Sequence, residues 1–215
     1  ESVLRGLQSQ YPRPQRRLYE GKAHLIVGVS LDVHQIISVV LFDAIKQHIV
    51  TGVSAKKLLG QDYHWLHHLR YEQHRNIHRR KLAQQKGTQV VIQEKHLAIQ
   101  VERLIANAVI DFAQQNLAAS IALPKIRDIK EAIQAQIQAR AEQRIPESKE
   151  LQRQYAKQYR MNAHHWSYKR LLDAIRSRAA KQCIATEEGL CRHDYYGIEQ
   201  AKEVALSAYA LRSVA

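Results

Sequence analysis

The segment that most constrains this chain is Leu25-Ile-Val-Gly-Val-Ser30, an apolar, largely β-branched run followed by Leu31 and Asp32. It is too short for a helix of its own and reads as a buried first strand ending on a small polar residue. Two further β-branched runs, Ile36 to Phe42 and His48 to Val53, follow after short polar breaks at Asp32-Val-His-Gln35 and Asp43-Ala-Ile-Lys-Gln47. Three short strands joined by tight turns predict an antiparallel meander.

The remainder alternates between helical and strand patterns. Ser54 is a candidate N-cap for one long helix from Ala55 to about Gln85, with Leu58, Leu59, Trp65, Leu66 and Leu69 at helical spacing and a basic, solvated second half. Leu97, Val101, Leu104, Ile105, Ala108, Val109 and Phe112 share one face and predict the main core helix, lying flat on the sheet. Ser120-Ile-Ala-Leu123 reads as a fourth strand closed by Pro124, which has no ladder N–H. Asp128 with Glu131 has the form of a capping box. It opens a Gln/Arg-rich helix with a narrow stripe at Ile129, Ile133 and Ile137.

Pro146 ends that helix, and a second polar helix is expected from Ser148 to about Arg160, the two forming a helical insertion over about 127–161. Asn162 is the expected cap of the next helix, which carries Trp166 (the first choice among its aromatics for the core), Leu171, Leu172, Ile175 and Ala179. Cys183 to Thr186 reads as a fifth strand. Ala201, Val204, Ala205, Ala208 and Leu211 mark a final amphipathic helix. Residues 1–20, with Gly6, Pro12 and Pro14, read as a linker or the end of a preceding domain, leaving 21–215 as one domain.

Charge narrows the class of partner. Lys and Arg number 33 against 20 Asp and Glu, a net +13 on 215 residues, which favours a polyanion and above all nucleic acid. No apolar run is long enough to span a membrane and no secretory signal stands at the N-terminus, so a cytoplasmic protein is expected. Cys183 and Cys191 are the only cysteines and form neither a disulfide framework nor a zinc ribbon.

Strands, helices, a strand, helices, a last strand and a closing helix follow in the order of the RNase H-like fold, a mixed α/β sheet with flanking helices. Ile26-Val-Gly-Val-Ser30, Lys56-Lys-Leu-Leu-Gly60, Leu123-Pro-Lys-Ile-Arg-Asp128, Tyr155-Ala-Lys-Gln-Tyr-Arg-Met161, His165-Trp-Ser-Tyr168 and Ala201-Lys-Glu-Val-Ala-Leu-Ser-Ala-Tyr209 together closely resemble the RuvC-like C-terminal region of type V-K CRISPR effectors. These are the nuclease-dead, RNA-guided targeting proteins of CRISPR-associated transposons. The likeness runs from about Tyr11 to Leu211, and it implies that a recognition lobe and a PAM-reading part precede this chain, in agreement with its start at Glu1. It further implies guide RNA and target DNA as partners, together with transposition proteins, among them an AAA+ regulator and an adaptor, and no small-molecule substrate or cofactor.

A more distant resemblance, to OrfB-type nucleases, implies three carboxylates around magnesium. By that resemblance the first falls on Ser30, the second on Pro124 and the third at about Ala201, and none of these is acidic. The relatives' zinc ribbon of two CxxC pairs is likewise reduced to Cys183 and Cys191. Two divalent ions about 4 Å apart repel by on the order of 15 kcal/mol at an effective dielectric near 20, so anionic ligands are indispensable. The expectation is a pseudo-nuclease. The competing reading is an active magnesium-dependent nuclease or OrfB-type transposase fragment. It needs a displaced set drawn from Asp32, Asp43, Asp111, Asp194 and Glu199, although Asp32 also suits the turn after the strand.

Three groups of basic residues are candidates for phosphate contact. Arg70, Arg75, Arg79, Arg80 and Lys81 stand against the single Glu72 in their window, with Trp65, His68 and Tyr71 nearby for stacking. Lys157, Arg160, Lys169 and Arg170, with Arg153, form a second group among Tyr155, Tyr159, Trp166 and Tyr168. Lys125 and Arg127 follow the fourth strand. A solvated face is the alternative reading, and in the Arg70–Lys81 window the density of basic residues favours phosphate contact. His74 and His78, at i and i+4, lack a third ligand or an adjacent general base, so no metal site is expected. A basic RNA-binding scaffold module is the third functional reading.

Overall fold

A computed structural model describes residues 19–32, 35–87, 95–163, 167–192 and 195–212. Five strands, β1 (Lys22–Ser30), β2 (Ser38–Asp43), β3 (His48–Ser54), β4 (Ala118–Pro124) and β5 (Ala185–Gly189), form one mixed sheet in the order β3-β2-β1-β4-β5. The first three pair antiparallel, with Ser30 opposite Ser38 and Ser38 opposite Ser54; β4 and β5 join parallel to β1. The helices are α1 (Ala55–Leu59), α2 (Tyr63–Gln85), α3 (Lys95–Gln115), α4 (Ile126–Arg144), α5 (Lys149–Ala163), α6 (Tyr168–Lys181) and α7 (Gly197–Arg212). None of them is long and apolar enough to cross a membrane.

Alternation along β1 divides the molecule into layers. Val27, Val29 and Leu31 point into the larger core with Val101, Ile105 and Val109 of α3 and Leu171, Leu172 and Ile175 of α6. Ile26 points the other way, into a smaller cluster with Phe42, Ala122, Cys191 and Val204, Ala205 and Ala208 of α7. The sheet is therefore covered on both faces, which explains why β1 and β2 read as continuous apolar runs rather than alternating ones.

Four local expectations fail for identifiable reasons. The helix predicted across 55–85 is broken: Gly60 takes φ +53 and begins a 3₁₀ turn over Gly60–Asp62, so α1 and α2 are separate. Asp128 and Glu131 make no capping box. Lys125 is the N-cap of α4 and offers no side-chain bond, Asp128 accepts from the Cys191 N–H at 3.4 Å, and Glu131 pairs with Arg127. Asn162 lies within α5 and is not a cap; Ser167 caps α6, accepting from Arg170 N at 3.4 Å. The fifth strand begins at Ala185 rather than Cys183, because Cys183 closes the turn after α6 with φ +57. Trp166, the expected core aromatic, lies outside the described residues.

The second half of α2 is also less one-sided than its charges suggest. Asn76 and Ala83 are buried in line with Leu69, seven residues apart each time, so a polar-tolerant seam continues beneath the basic surface.

Candidate nucleic-acid interface

The C-terminal end of β1 is where the sheet, α7 and the β1–β2 turn meet. Ser30 is fully buried and its Oγ donates to the Gly197 carbonyl oxygen at 2.7 Å, tying the strand to the first turn of α7. Continuing the parallel register from Gly28 opposite Ala122 carries Pro124 alongside Ser30, on the face that α7 covers. Ala201 stands one turn further into α7, where its carbonyl oxygen would lie only 2.0 Å from a Cβ on Gly28. The α7 residue facing Ser30 is thus Gly197, and Ala201 packs over the strand's middle. Serine, proline, glycine and alanine fill this corner, all uncharged.

Asp32 lies just past the strand end, buried, with Oδ1 accepting from the Gln35 N–H at 2.6 Å. Its backbone N–H donates to Ile36 O at 3.3 Å, and Ile36 is held at φ +66, a costly conformation for a β-branched residue. Of the other carboxylates that could form a displaced set, Asp43 sits at the far end of β2, opposite Leu25, accepting from Ile45 and Lys46 N–H groups. Those bonds, the one from Lys46 foremost, hold its pKa below the usual carboxylate range. Asp111 is on α3, across the sheet, and Glu199 is exposed near Lys202. Asp194 lies outside the described residues. Among the described residues no three His, Cys, Asp or Glu side chains gather as a metal site would require. Cys191 is buried, and its thiol is pushed up to about 12, first by burial and then by the Asp128 charge.

The basic candidates occupy three stations. Arg70 reaches the start of α6, where its charge acts on Tyr168; burial foremost, and then Asp32, raise the Tyr168 phenol. Tyr168 in turn donates to Asp32 O at 3.4 Å. Beside it Lys169 is exposed, whereas Arg170 directs Nε and Nη2 to Glu102 Oε1 at 3.2 and 2.9 Å. Glu102 is buried, and burial raises its pKa despite the Arg170 bond. Further along α2, Arg75 pairs with Glu72 at 3.2 Å and Arg79 is exposed. The side chains of Arg80, Lys81, Arg160 and His74 lie outside the described set. At the start of α4 Lys125 is exposed and Arg127 pairs with Glu131 at 3.0 Å, while Lys157 is exposed on α5. Exposed pairs of this kind open readily for a phosphate, because each is worth under about 1 kcal/mol.

Sequence reasoning missed a further set. A cleft of about 1140 Å³ opens beside Asp32, walled by α4 and by the segment entering α7. Gln136, Arg140, Gln143 and Arg144 line it from one stripe of α4, and Tyr196 from the opposite side. The stripe at i, i+4, i+7 and i+8 was legible, but only beside the apolar stripe did its direction gain meaning. Arg140 is fixed in place: Nη1 donates to Tyr159 OH at 3.0 Å and its guanidinium lies 5.0 Å from that ring's centre.

No protein-family model matches the chain, and no curated protein matches it.

Proposed function

We propose that this chain is a catalytically vacated RuvC-like domain of RNase H fold, part of an RNA-guided effector that holds guide RNA and target DNA without cutting either. The observation that carries the reading is the neutral corner. Ser30, Pro124 and Gly197 converge at one end of the sheet and none of them carries a carboxylate for a divalent ion, while Glu199 in the first turn of α7 is exposed beside Lys202. The three antiparallel strands followed by two parallel ones, with a helix across the face, suit that fold. The net charge of +13 suits a polyanionic partner. In this reading sequence is read by base pairing and the domain contributes backbone contacts. The type V-K resemblance adds transposition proteins, including an AAA+ regulator and an adaptor, as partners of the whole effector.

Two measurements test it. Binding to a guide RNA–DNA heteroduplex, titrated with salt, should give a log-log slope of roughly −4 to −5 if about five phosphates are contacted. A slope near zero removes the nucleic-acid reading. Incubation of single-stranded DNA with magnesium should leave it intact. Cutting that is abolished by Asp32→Ala would replace this reading with that of an active nuclease. Equal affinity for random RNA and for matched heteroduplex would favour a general RNA scaffold instead.

A further inference from the structure

The basic stations have an acidic counterpart on the α3 side of the sheet. Val101, Ile105 and Val109 of α3 are fully buried, but the next row along the same helix, Leu104, Ala108 and Phe112, is only partly covered. That second row lines a groove of about 440 Å³ between α3 and α1, with Leu58 of α1 on the facing wall. The floor is apolar and the rim is acidic. Asp111 is exposed on α3, and Asp62 is exposed at the end of the 3₁₀ turn that leads from α1 to α2. Lys57 is the one cation among the described lining residues. We infer that this groove docks an amphipathic helix of a protein partner, one whose polar side carries Lys or Arg.

Charge selects the class of guest. The chain carries 33 Lys and Arg against 20 Asp and Glu, yet here two carboxylates stand against one ammonium, so the local sign is reversed. A phosphate backbone would meet both repulsion and an apolar floor, whereas a cationic guest finds partners at the rim. Those partners are uncommitted. Asp62 is the N-cap residue of α2 but makes no capping bond with its side chain, and among the described residues neither it nor Asp111 belongs to an ion pair. Shape selects a helix. Leu104, Ala108 and Phe112, at i, i+4 and i+8, form one of the inclined rows against which a second helix packs, and the small Ala108 leaves a notch between two larger side chains. The row is about 12 Å long, which matches apolar anchors one and two turns apart on the guest. Lys57, exposed on α1, turns the guest's cations toward Asp62 and Asp111.

The test uses the 215-residue chain, freed of nucleic acid, and two fluorescent helical peptides of about four turns. One has Leu at i, i+3, i+4 and i+7 and Lys elsewhere; the other has Glu in place of every Lys. The Leu/Lys peptide should bind, and a photoreactive group on its apolar face should label α3 or α1. The Leu/Glu peptide should leave both helices unlabelled. Asp62→Lys combined with Asp111→Lys alters only exposed residues and should weaken the Leu/Lys peptide by roughly tenfold or more, with the urea midpoint as a check that the fold is kept. Three results overturn the proposal: a Leu/Lys peptide that fails to bind or labels elsewhere, a Leu/Glu peptide that labels the groove as strongly, or a folded double variant with unchanged affinity. None of them touches the salt slope on heteroduplex, so the nucleic-acid reading stands or falls separately.

Discussion

At its first turn α7 is joined to the sheet by one neutral hydrogen bond, from Ser30 to Gly197 O; at its last turn Arg212 joins three strands at once. There Nη1 donates to Ala23 O of β1 at 2.9 Å, Nη2 to Ser120 Oγ of β4 at 2.7 Å, and Nε to Glu187 Oε2 of β5 at 2.7 Å. A second bond runs from Nη2 to Glu187 Oε1. The two ends lie on the same face of the same sheet, so packing does not distinguish them. The end with a strong charge has it matched inside the fold and closed to metals. At the other end Ser30 Oγ and Gly197 O match each other as neutral groups, and the nearby Asp32 carboxylate accepts from the Gln35 N–H.

The contrast can be broken or sharpened by substitution, starting with the most damaging change. Gly28→Ala puts a Cβ 2.0 Å from Ala201 O and 2.9 Å from Ala205 Cβ, and should cost about 3 kcal/mol in urea unfolding at unchanged slope. A loss below about 0.5 kcal/mol would mean that α7 lifts freely, and neither end would then matter as described.

Ser30→Asp places an acid in the neutral corner but points a carboxylate at a carbonyl oxygen, with an expected cost of about 2 kcal/mol. Magnesium should not recover that loss; recovery would expose a latent metal site. Arg212→Ala should cost about 1–2 kcal/mol, because it leaves the half-buried Glu187 without its cationic partner while the guanidinium itself is partly solvated.

The smallest effect is a divergence in pH dependence. Burial raises Glu187, but bonds from Arg212 and Ser120 and the guanidinium charge carry it below its ordinary 4.5. Its contribution is complete above about 4.5 and disappears as pH falls through the folded value. Glu102 is displaced the other way by burial, despite Arg170, so the folded chain holds its proton more tightly. Stability then declines as pH rises above 4.5 through the folded value. Glu187→Gln should flatten the acid-side loss and Glu102→Gln the loss on the other side, as followed by urea midpoints from about pH 3 to about pH 7.

How far the sequence disclosed this arrangement depends on the range of the forces involved. The strands were legible because Leu25 to Val29 and Val39 to Phe42 satisfy a local rule, and both layers bury them whatever the details. Helix boundaries were less so. Asp128 looks like a cap to its neighbours in sequence, but it serves Cys191, 63 residues away. Gly60 is tolerable in a helix, and only its φ of +53 reveals a break. Basic residues could be counted but not assigned, since Arg170 is committed to Glu102, 68 positions earlier. The cleft was least legible, as Asp32, Gln136 and Tyr196 come together only when β1, α4 and the entry to α7 are assembled.

Gly28 and Gly189 have a consequence beyond close packing. A Cβ on either would strike an α7 carbonyl, Ala201 O at 2.0 Å or Val204 O at 2.1 Å, so the helix backbone rests directly on β1 and β5. Two absent side chains act as keyways that fix where α7 sits along and across the sheet. Alignment of the domain is therefore set at positions 28 and 189, the second of them directly opposite Pro124 in the β4–β5 register. The seat of α7 is thus fixed by backbone-to-backbone contact rather than by side chains that could repack.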